Sequence, residues 1–203
     1  AIVSRDMKKV IYIILFTFLT VNCFGKHITG GEFYYTYLGK SVTNPSKLSY
    51  KITLLLYKDT TVGGTGVASL GVAYPISVYR GDNNQFVLTV TADRTKYEYM
   101  NLSNYNPCLN TKPPVRFAVA TFEATIELDP LAAGYFVSHS QCCRIDGINN
   151  IISKNVGATY WVKIPGTADN PFAPDNSNAV FNKRDTILVC KSSPLNIDFS
   201  AID

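Results

Sequence analysis

The sequence predicts an all-β protein: an immunoglobulin-like or jelly-roll-like β-sandwich of about nine strands, preceded by a signal-peptide helix. Three observations predict it. Nearly every periodic stretch alternates apolar and polar residues with period two. Clusters of Gly, Pro, Asn and Asp punctuate those stretches, as turns require. Beyond residue 25 no helix-period run exceeds about two turns. Composition agrees. Hydrophobic residues are 46% of the 203, aromatics 12% with 13 Tyr, and charged residues only 17%, which suffices for a packed core and excludes wholesale disorder.

In chain order, the first element is an address. Met7 is followed by Lys8 and Lys9 and by an apolar run, Val10 to Val21, of 12 residues. A bilayer span needs about 20 residues, whereas a secretory signal has this length and this basic flank. Cys23 and Gly25 supply small residues for cleavage after Gly25. Lipidation at Cys23 is the alternative, disfavoured by Asn22 where such sites take Gly or Ala. Residues 1–25 are therefore expected to be a signal peptide with an upstream remnant before Met7. Removing Arg5, Asp6, Lys8 and Lys9 leaves 16 basic and 14 acidic residues, so most of the basic balance belongs to the signal. No cluster of Lys and Arg remains to bind nucleic acid, and no membrane span is expected after signal removal.

The expected strands are Gly31–Leu38, Leu48–Lys58, Tyr74–Tyr79, Phe86–Asp93, Ala120–Leu128, Tyr135–Cys142, Tyr160–Ile164, Ala179–Phe181 and Thr186–Cys190. Ala120 to Leu128 is the cleanest: Ala120, Phe122, Ala124, Ile126 and Leu128 alternate with Thr121, Glu123, Thr125 and Glu127, a half-buried strand. Turn signals include Gly63-Gly64-Thr65-Gly66, Gly81-Asp82-Asn83-Asn84, Asp129-Pro130 and Asp146-Gly147. Residues 165–178 form a long loop with three Pro and two Asp, the natural place for variable contacts. The expected organisation is a β-sandwich domain over 26–190, then a linker and the start of a truncated following β domain over 191–203.

Four cysteines follow the signal: Cys108, Cys142, Cys143 and Cys190. After export they are disulfide candidates. A vicinal Cys142–Cys143 bridge demands strained geometry and ranks last of the three connectivities. Zinc lacks a CxxC pair, with only His27 and His139 to assist. A thiol nucleophile at Cys142 or Cys143 would need His139 as its base, an arrangement with little else to support it.

Other constellations are weak. Glu123 and Glu127 stand about 13 Å apart along one strand, too far for either glycosidase geometry, and suit a solvated strand face. Asp169, Asn170, Asp175 and Asn176 make the long loop a possible contact site, and its oxygen ligands could suit calcium, but the spacing matches no calcium loop. Gly63-Gly64-Thr65-Gly66 lacks the Lys-Ser/Thr of a phosphate cradle. Asn101-Leu102-Ser103 is a formal glycosylation sequon. Exposed Tyr and Trp161 could stack on sugar rings, although aromatics on strands more often pair or enter the core. No catalytic, cofactor-binding or metal residue is assigned, and no cofactor or enzymatic activity is expected.

Four separated segments then carry a resemblance. They are His27-Ile28-Thr29-Gly30-Gly31-Glu32 with Tyr35 and Leu38-Gly39; Tyr50-Lys51-Ile52-Thr53-Leu54 with Tyr57 and Asp59; Gly134-Tyr135 with Gln141-Cys142-Cys143-Arg144 and Asn150-Ile151; and Pro194-Leu195 with Asp198, Ser200-Ala201 and Asp203. In this order they resemble the N-terminal module of large secreted surface proteins of the Bacteroidetes, the gliding-motility-associated, PKD-domain-containing proteins exported by type IX secretion. Tyr37 and Thr60 stand where that family tends to have cysteines, which reads as one disulfide lost between two paired strands; Arg116 stands at another such position. The resemblance implies a non-catalytic module of a larger cell-surface adhesin or motility-associated protein, secreted to the exterior of the outer membrane. Its partners would be other domains of the same longer chain and a surface protein or glycan. The alternative expectation is a carbohydrate-binding module of a secreted glycan-active protein, which an exposed row of coplanar aromatics would favour.

Overall fold

The computed structural model describes residues 28–60, 70–100, 116–142, 144–145, 150, 156–182, 194 and 198–202. Nine strands lie among them: β1 (Ile28–Lys40), β2 (Leu48–Asp59), β3 (Ala73–Arg80), β4 (Phe86–Met100), β5 (Phe117–Leu128), β6 (Tyr135–Gln141), β7 (Ala158–Ile164), β8 (Val180–Phe181) and β9 (Ala201–Ile202). A single 3-10 turn, Ala173–Asp175, is the one helical element among the described residues, so none of their helices is long and apolar enough to cross a membrane. The signal segment, the expected strand Thr186–Cys190, Gly63–Gly66 and the Asn101 sequon lie outside the described residues.

The all-β expectation holds, and the expected sandwich is corrected. Seven strands form one antiparallel sheet in the order β1-β2-β5-β4-β3-β6-β7, and β8 pairs with β9 apart from it. The join is between β3 and β4, which stay hydrogen-bonded from Ala73↔Asp93 to Tyr79↔Phe86. In a sandwich the chain would change sheets there. Here the two halves are fused, and the twist of the long strands curls the sheet towards a barrel.

The outer strands nearly close it. Ile28 of β1 makes a parallel bridge with Arg144, and the Ile145 amide donates to the Ile28 carbonyl at 3.1 Å. Gly31 lies against the Tyr160 ring of β7, and a Cβ there would come within 2.8 Å of that ring. Further along, the Tyr35 amide donates to Asn178 Oδ1 and the Tyr37 amide to Ser177 Oγ, both at 3.0 Å, while the Asn178 amide donates to the Tyr35 carbonyl at 3.0 Å. Amides that an edge strand leaves open are thus occupied by the end of the 165–178 loop.

Strands 3, 4 and 5 form a meander, and β6 returns to the free edge of β3, a Greek key. Its return is fixed at the β5–β6 corner. The Tyr135 hydroxyl, at the start of β6, donates to the Asp129 carbonyl at 2.8 Å. This is the geometry of a tyrosine corner. Gly134 precedes it at φ +67, and a Cβ there would run into the Ile164 carbonyl and the Gly166 amide, so only glycine fits.

The inner face is the core. Ile52, Leu54 and Leu56 of β2, Phe122, Ile126 and Leu128 of β5, Ile76 and Val78 of β3, Val137 of β6 and Val162 and Ile164 of β7 form one buried cluster. Burial of each such side chain contributes about 1.5–3 kcal/mol, which makes the period-two pattern decisive for which face turns inward. Thr53 and Leu55, which alternate with them, are buried as well.

β1 and β5 each begin three residues before the expected start, and the largest departure is at the end of β4. β4 continues from Arg94 to Met100, beyond the apolar alternation, by pairing with β5 across an irregularity at Arg94/Lys96. The register also removes one inference from the resemblance. Tyr37 faces Tyr50, whereas Lys58 faces Ile28 at the opposite end of the hairpin. Positions 37 and 60 therefore lie at opposite ends of the β1–β2 pair, and no single disulfide spans them.

Candidate functional site

Alternation fixes what the outer face carries. With Val78, Val137 and Val162 turned inward, the residues between them point out: Pro75, Ser77 and Tyr79 on β3, Phe136, Ser138 and Ser140 on β6, and Thr159, Trp161 and Lys163 on β7. The register then sets them in rows. Phe86, Tyr79, Phe136 and Lys163 are successive cross-strand partners from β4 to β7, and Thr89, Ser77, Ser138 and Trp161 form the next row.

The aromatics of these rows touch. Tyr79 and Phe86 have ring centroids 5.9 Å apart at an interplanar angle of 71°, and Phe136 and Trp161 are 5.7 Å apart at 67°. Both are edge-to-face pairs. Trp161 is 61% exposed and Phe86 56%, while Tyr79 and Phe136 are half-buried. An exposed aromatic row therefore exists, and it is not coplanar. At such angles two rings cannot both lie flat on the surface, so each pair offers at most one stacking face.

Hydroxyls flank the rings. Ser77 Oγ and Thr89 Oγ1 are 3.3 Å apart, and Ser140 Oγ and Thr159 Oγ1 are 3.0 Å apart. The charges at the border are neutralised within the chain. Arg80 makes a two-point contact with Asp82, at 3.0 and 2.7 Å, and Lys163 Nζ donates to Asp169 Oδ1 at 2.5 Å. The Arg80 bond holds the Asp82 carboxyl below its ordinary range, and the Lys163 bond with the Gly166 amide does the same for Asp169.

The loop residues singled out in the sequence divide. Asn170, Asp175 and Asn176 line one open pocket of about 440 Å³ with Pro165, Phe172 and Ala173. Asp169 is committed to Lys163 and the Gly166 amide instead. Asn170 Oδ1 accepts from the Phe172 amide at 3.0 Å. On the β1 side Tyr37 meets Asp175; burial first, then that carboxylate, push the Tyr37 phenol up. Among the described residues no group of three His, Cys, Asp or Glu side chains is placed to hold a metal.

The residues weighed for catalysis are occupied structurally. His139 points inward, 4% exposed, with Nδ1–H donating to the Pro75 carbonyl at 2.8 Å, Nε2 3.2 Å from Gln141 Oε1, and its ring on Tyr74. Glu123 pairs with Lys51 at 3.3 Å. Glu127 accepts from Ser41 Oγ at 2.6 Å and from Thr43 Oγ1, closing the 41–47 turn. Of the four cysteines only Cys142 lies among the described residues, exposed just past the end of β6; Cys108, Cys143 and Cys190 do not, and connectivity falls outside them.

Sequence reasoning names Trp161 but not the aromatics of the neighbouring row. Phe86, Tyr79 and Phe136 meet it only through register, which period alone does not supply. Comparison with protein-family models, curated proteins and solved structures finds no match to this chain.

Proposed function

We propose that the chain is a non-catalytic binding module of a larger exported surface protein, with the outer face of β4-β3-β6-β7 as its contact surface. The observation that carries this reading is two adjoining aromatic pairs on the outer face, Tyr79–Phe86 and Phe136–Trp161, with Phe86 and Trp161 exposed. Large aromatics are left in water where a partner covers them. Strand order relates the sheet to immunoglobulin-like domains: β1-β2-β5-β4 followed by β3-β6-β7 runs as their A-B-E-D and C-F-G sheets do, with a tyrosine corner at the equivalent strand, although the two are joined here at β3–β4 into one sheet. That architecture is shared by many cell-surface domains, and function is argued from the face rather than from the fold.

Export belongs to the same reading and is motivated by Met7-Lys8-Lys9 and the apolar run behind it. Disulfide pairing of Cys142 fits an oxidising compartment. The resemblance to the N-terminal module of Bacteroidetes gliding-motility-associated proteins supports a surface location beyond the outer membrane, with further domains of the same chain as neighbours. Absence of chemistry is motivated by commitment of His139, Glu123 and Glu127 to structural bonds. A phosphatase reporter joined after Asp203 tests export: periplasmic activity that disappears when Val10–Val21 is deleted is expected, and a reporter that stays cytoplasmic with the segment intact refutes it. The second reading is a carbohydrate-binding module of a glycan-active protein; the coplanar row that would favour it is absent, and its support is the exposure of one ring of each pair, Phe86 and Trp161.

A further inference from the structure

We infer that the ligand of this face is an uncharged glycan chain, lying across strands β4, β3, β6 and β7 and stacking on Phe86 and Trp161. The inference rests on the reading of this face as a contact surface and names the chemistry it takes.

Ring geometry argues for an extended ligand. In each edge-to-face pair at most one ring can lie flat on the surface, and Phe86 and Trp161 are the more exposed members. They sit on strands β4 and β7, three strand spacings apart, or about 14 Å. A monosaccharide covers one of them; an oligosaccharide bridges both. The C–H face of a pyranose suits the electron-rich face of an aromatic ring.

Charge argues for an uncharged ligand. From Phe86 to Thr91 on β4, and across the outward positions of β3, β6 and β7, Lys163 is the one ionised side chain, and Asp169 holds it. Arg80 at the border is held by Asp82. An anionic polymer would find no open cation there, and the one open carboxylate among the described residues of this face, Asp93, stands at the end of the β3–β4 pairing, away from both exposed rings. What the face offers between its rings is hydroxyls: Ser77, Thr89, Ser138, Ser140 and Thr159. A hydroxyl both donates and accepts, which matches the hydroxyl rim of a sugar. Protein interfaces rich in Trp and Tyr are also enriched in Arg, and none stands free here.

The test is affinity electrophoresis of the purified protein through gels containing barley β-glucan, xylan, mannan, galactan or dextran, with polygalacturonate and alginate as charged comparators. Retardation by at least one neutral polysaccharide and by neither charged one is expected. Trp161→Ala is expected to weaken that retardation about tenfold, and Phe86→Ala to weaken it less. Trp161→Phe, which keeps a ring, should retain part of it. Circular dichroism of each variant reports its fold, and Glu123→Gln on the far half of the sheet should change nothing. No retardation by any neutral polysaccharide overturns the inference, as does retardation indifferent to Trp161→Ala. Sedimentation of the same samples separates the two failures. A self-associating protein that becomes monomeric on Trp161→Ala ends the glycan inference and keeps the contact surface. A protein with neither glycan binding nor Trp161-dependent association ends both.

Discussion

The long strands and the short strands line the same core and present opposite outer faces. Inside, Ile52, Leu54 and Phe122 on the long side meet Ile76, Val78 and Val137 on the short side in one apolar cluster. Outside, the β1-β2-β5 half is built of bonds closed within the chain. Lys51 pairs with Glu123, Tyr57 donates to Glu32, and Glu127 collects Ser41 and Thr43; Leu55 is buried between them. The β3-β6-β7 half leaves Trp161 exposed on β7, and Phe86 is exposed at the other side of that half, on the adjoining stretch of β4. Charged residues, which elsewhere so often carry function, are committed to structure here. Aromatic residues, which elsewhere so often fill cores, are left for a partner. Residue type did not distinguish the two roles. Register and exposure did.

The comparison breaks most sharply at the core. Phe122 is fully buried and packs 4.8 Å from the Tyr74 ring. Phe122→Ala is expected to cost about 3–5 kcal/mol in unfolding free energy, whereas Trp161→Ala, on the surface, should change it by no more than about 0.5 kcal/mol. Urea unfolding of the two variants measures both. Equal losses would mean that the outer row belongs to the fold.

Next in size is the corner that holds the short strands. Gly134→Ala places a Cβ at positive φ against the backbone of Ile164 and Gly166. A loss of about 1–3 kcal/mol is expected, with faster hydrogen exchange in β6 and β7 than in β2 and β5. Uniform acceleration across the sheet would deny the two halves separate behaviour.

A smaller and opposite effect is expected at Tyr160. Its hydroxyl is buried without a hydrogen-bond partner, and burial pushes the phenol up. Tyr160→Phe should be neutral or slightly stabilising, because an unsatisfied buried group costs about 1–3 kcal/mol. A lower melting temperature would reveal a partner for that oxygen.

The smallest effect is with pH. The Asp82 and Asp169 carboxyls titrate below their ordinary range through Arg80 and Lys163. Their contribution is complete above the unfolded carboxylate pKa of about 3.9 and is lost as pH falls through the lower folded values. Thermal melts in that range should separate wild type from Asp169→Asn above it and merge them below it. Exposed pairs are weak, so a large separation would contradict their placement at the border.

The period-two pattern made eight of the nine expected strands legible and gave most of the inner face; Phe86, which alternates with Leu88, Val90 and Ala92, turns outward instead at the irregularity by Val78/Tyr79. Thr186–Cys190 lies outside the described residues. Closure of the sheet was not legible, because alternation tells which face is buried and not whether strands joined by a turn also pair. The β3–β4 hairpin paired, and two expected sheets became one. The end of β4 escaped because only Tyr97 and Tyr99 alternate there with Lys96 and Glu98, too short a run to extend the strand, and pairing with β5 extends it. The candidate site was half legible. Asn170, Asp175 and Asn176 do meet at a pocket, as residues of one loop readily do. The aromatic row joins residues 79, 86, 136 and 161 through three strand pairings, each of which a one-residue slip would reverse.

Trp161 is the protein's only tryptophan, so its emission reports the central claim directly. Steady-state fluorescence with acrylamide quenching, recorded during titration with a neutral polysaccharide that retards the protein, follows that one ring. The account expects red-shifted, readily quenched emission from the free protein, then a saturable blue shift and protection from acrylamide as the ligand fills the face. Emission that is already blue-shifted and protected in the free protein, or that ignores a saturating ligand, would contradict it.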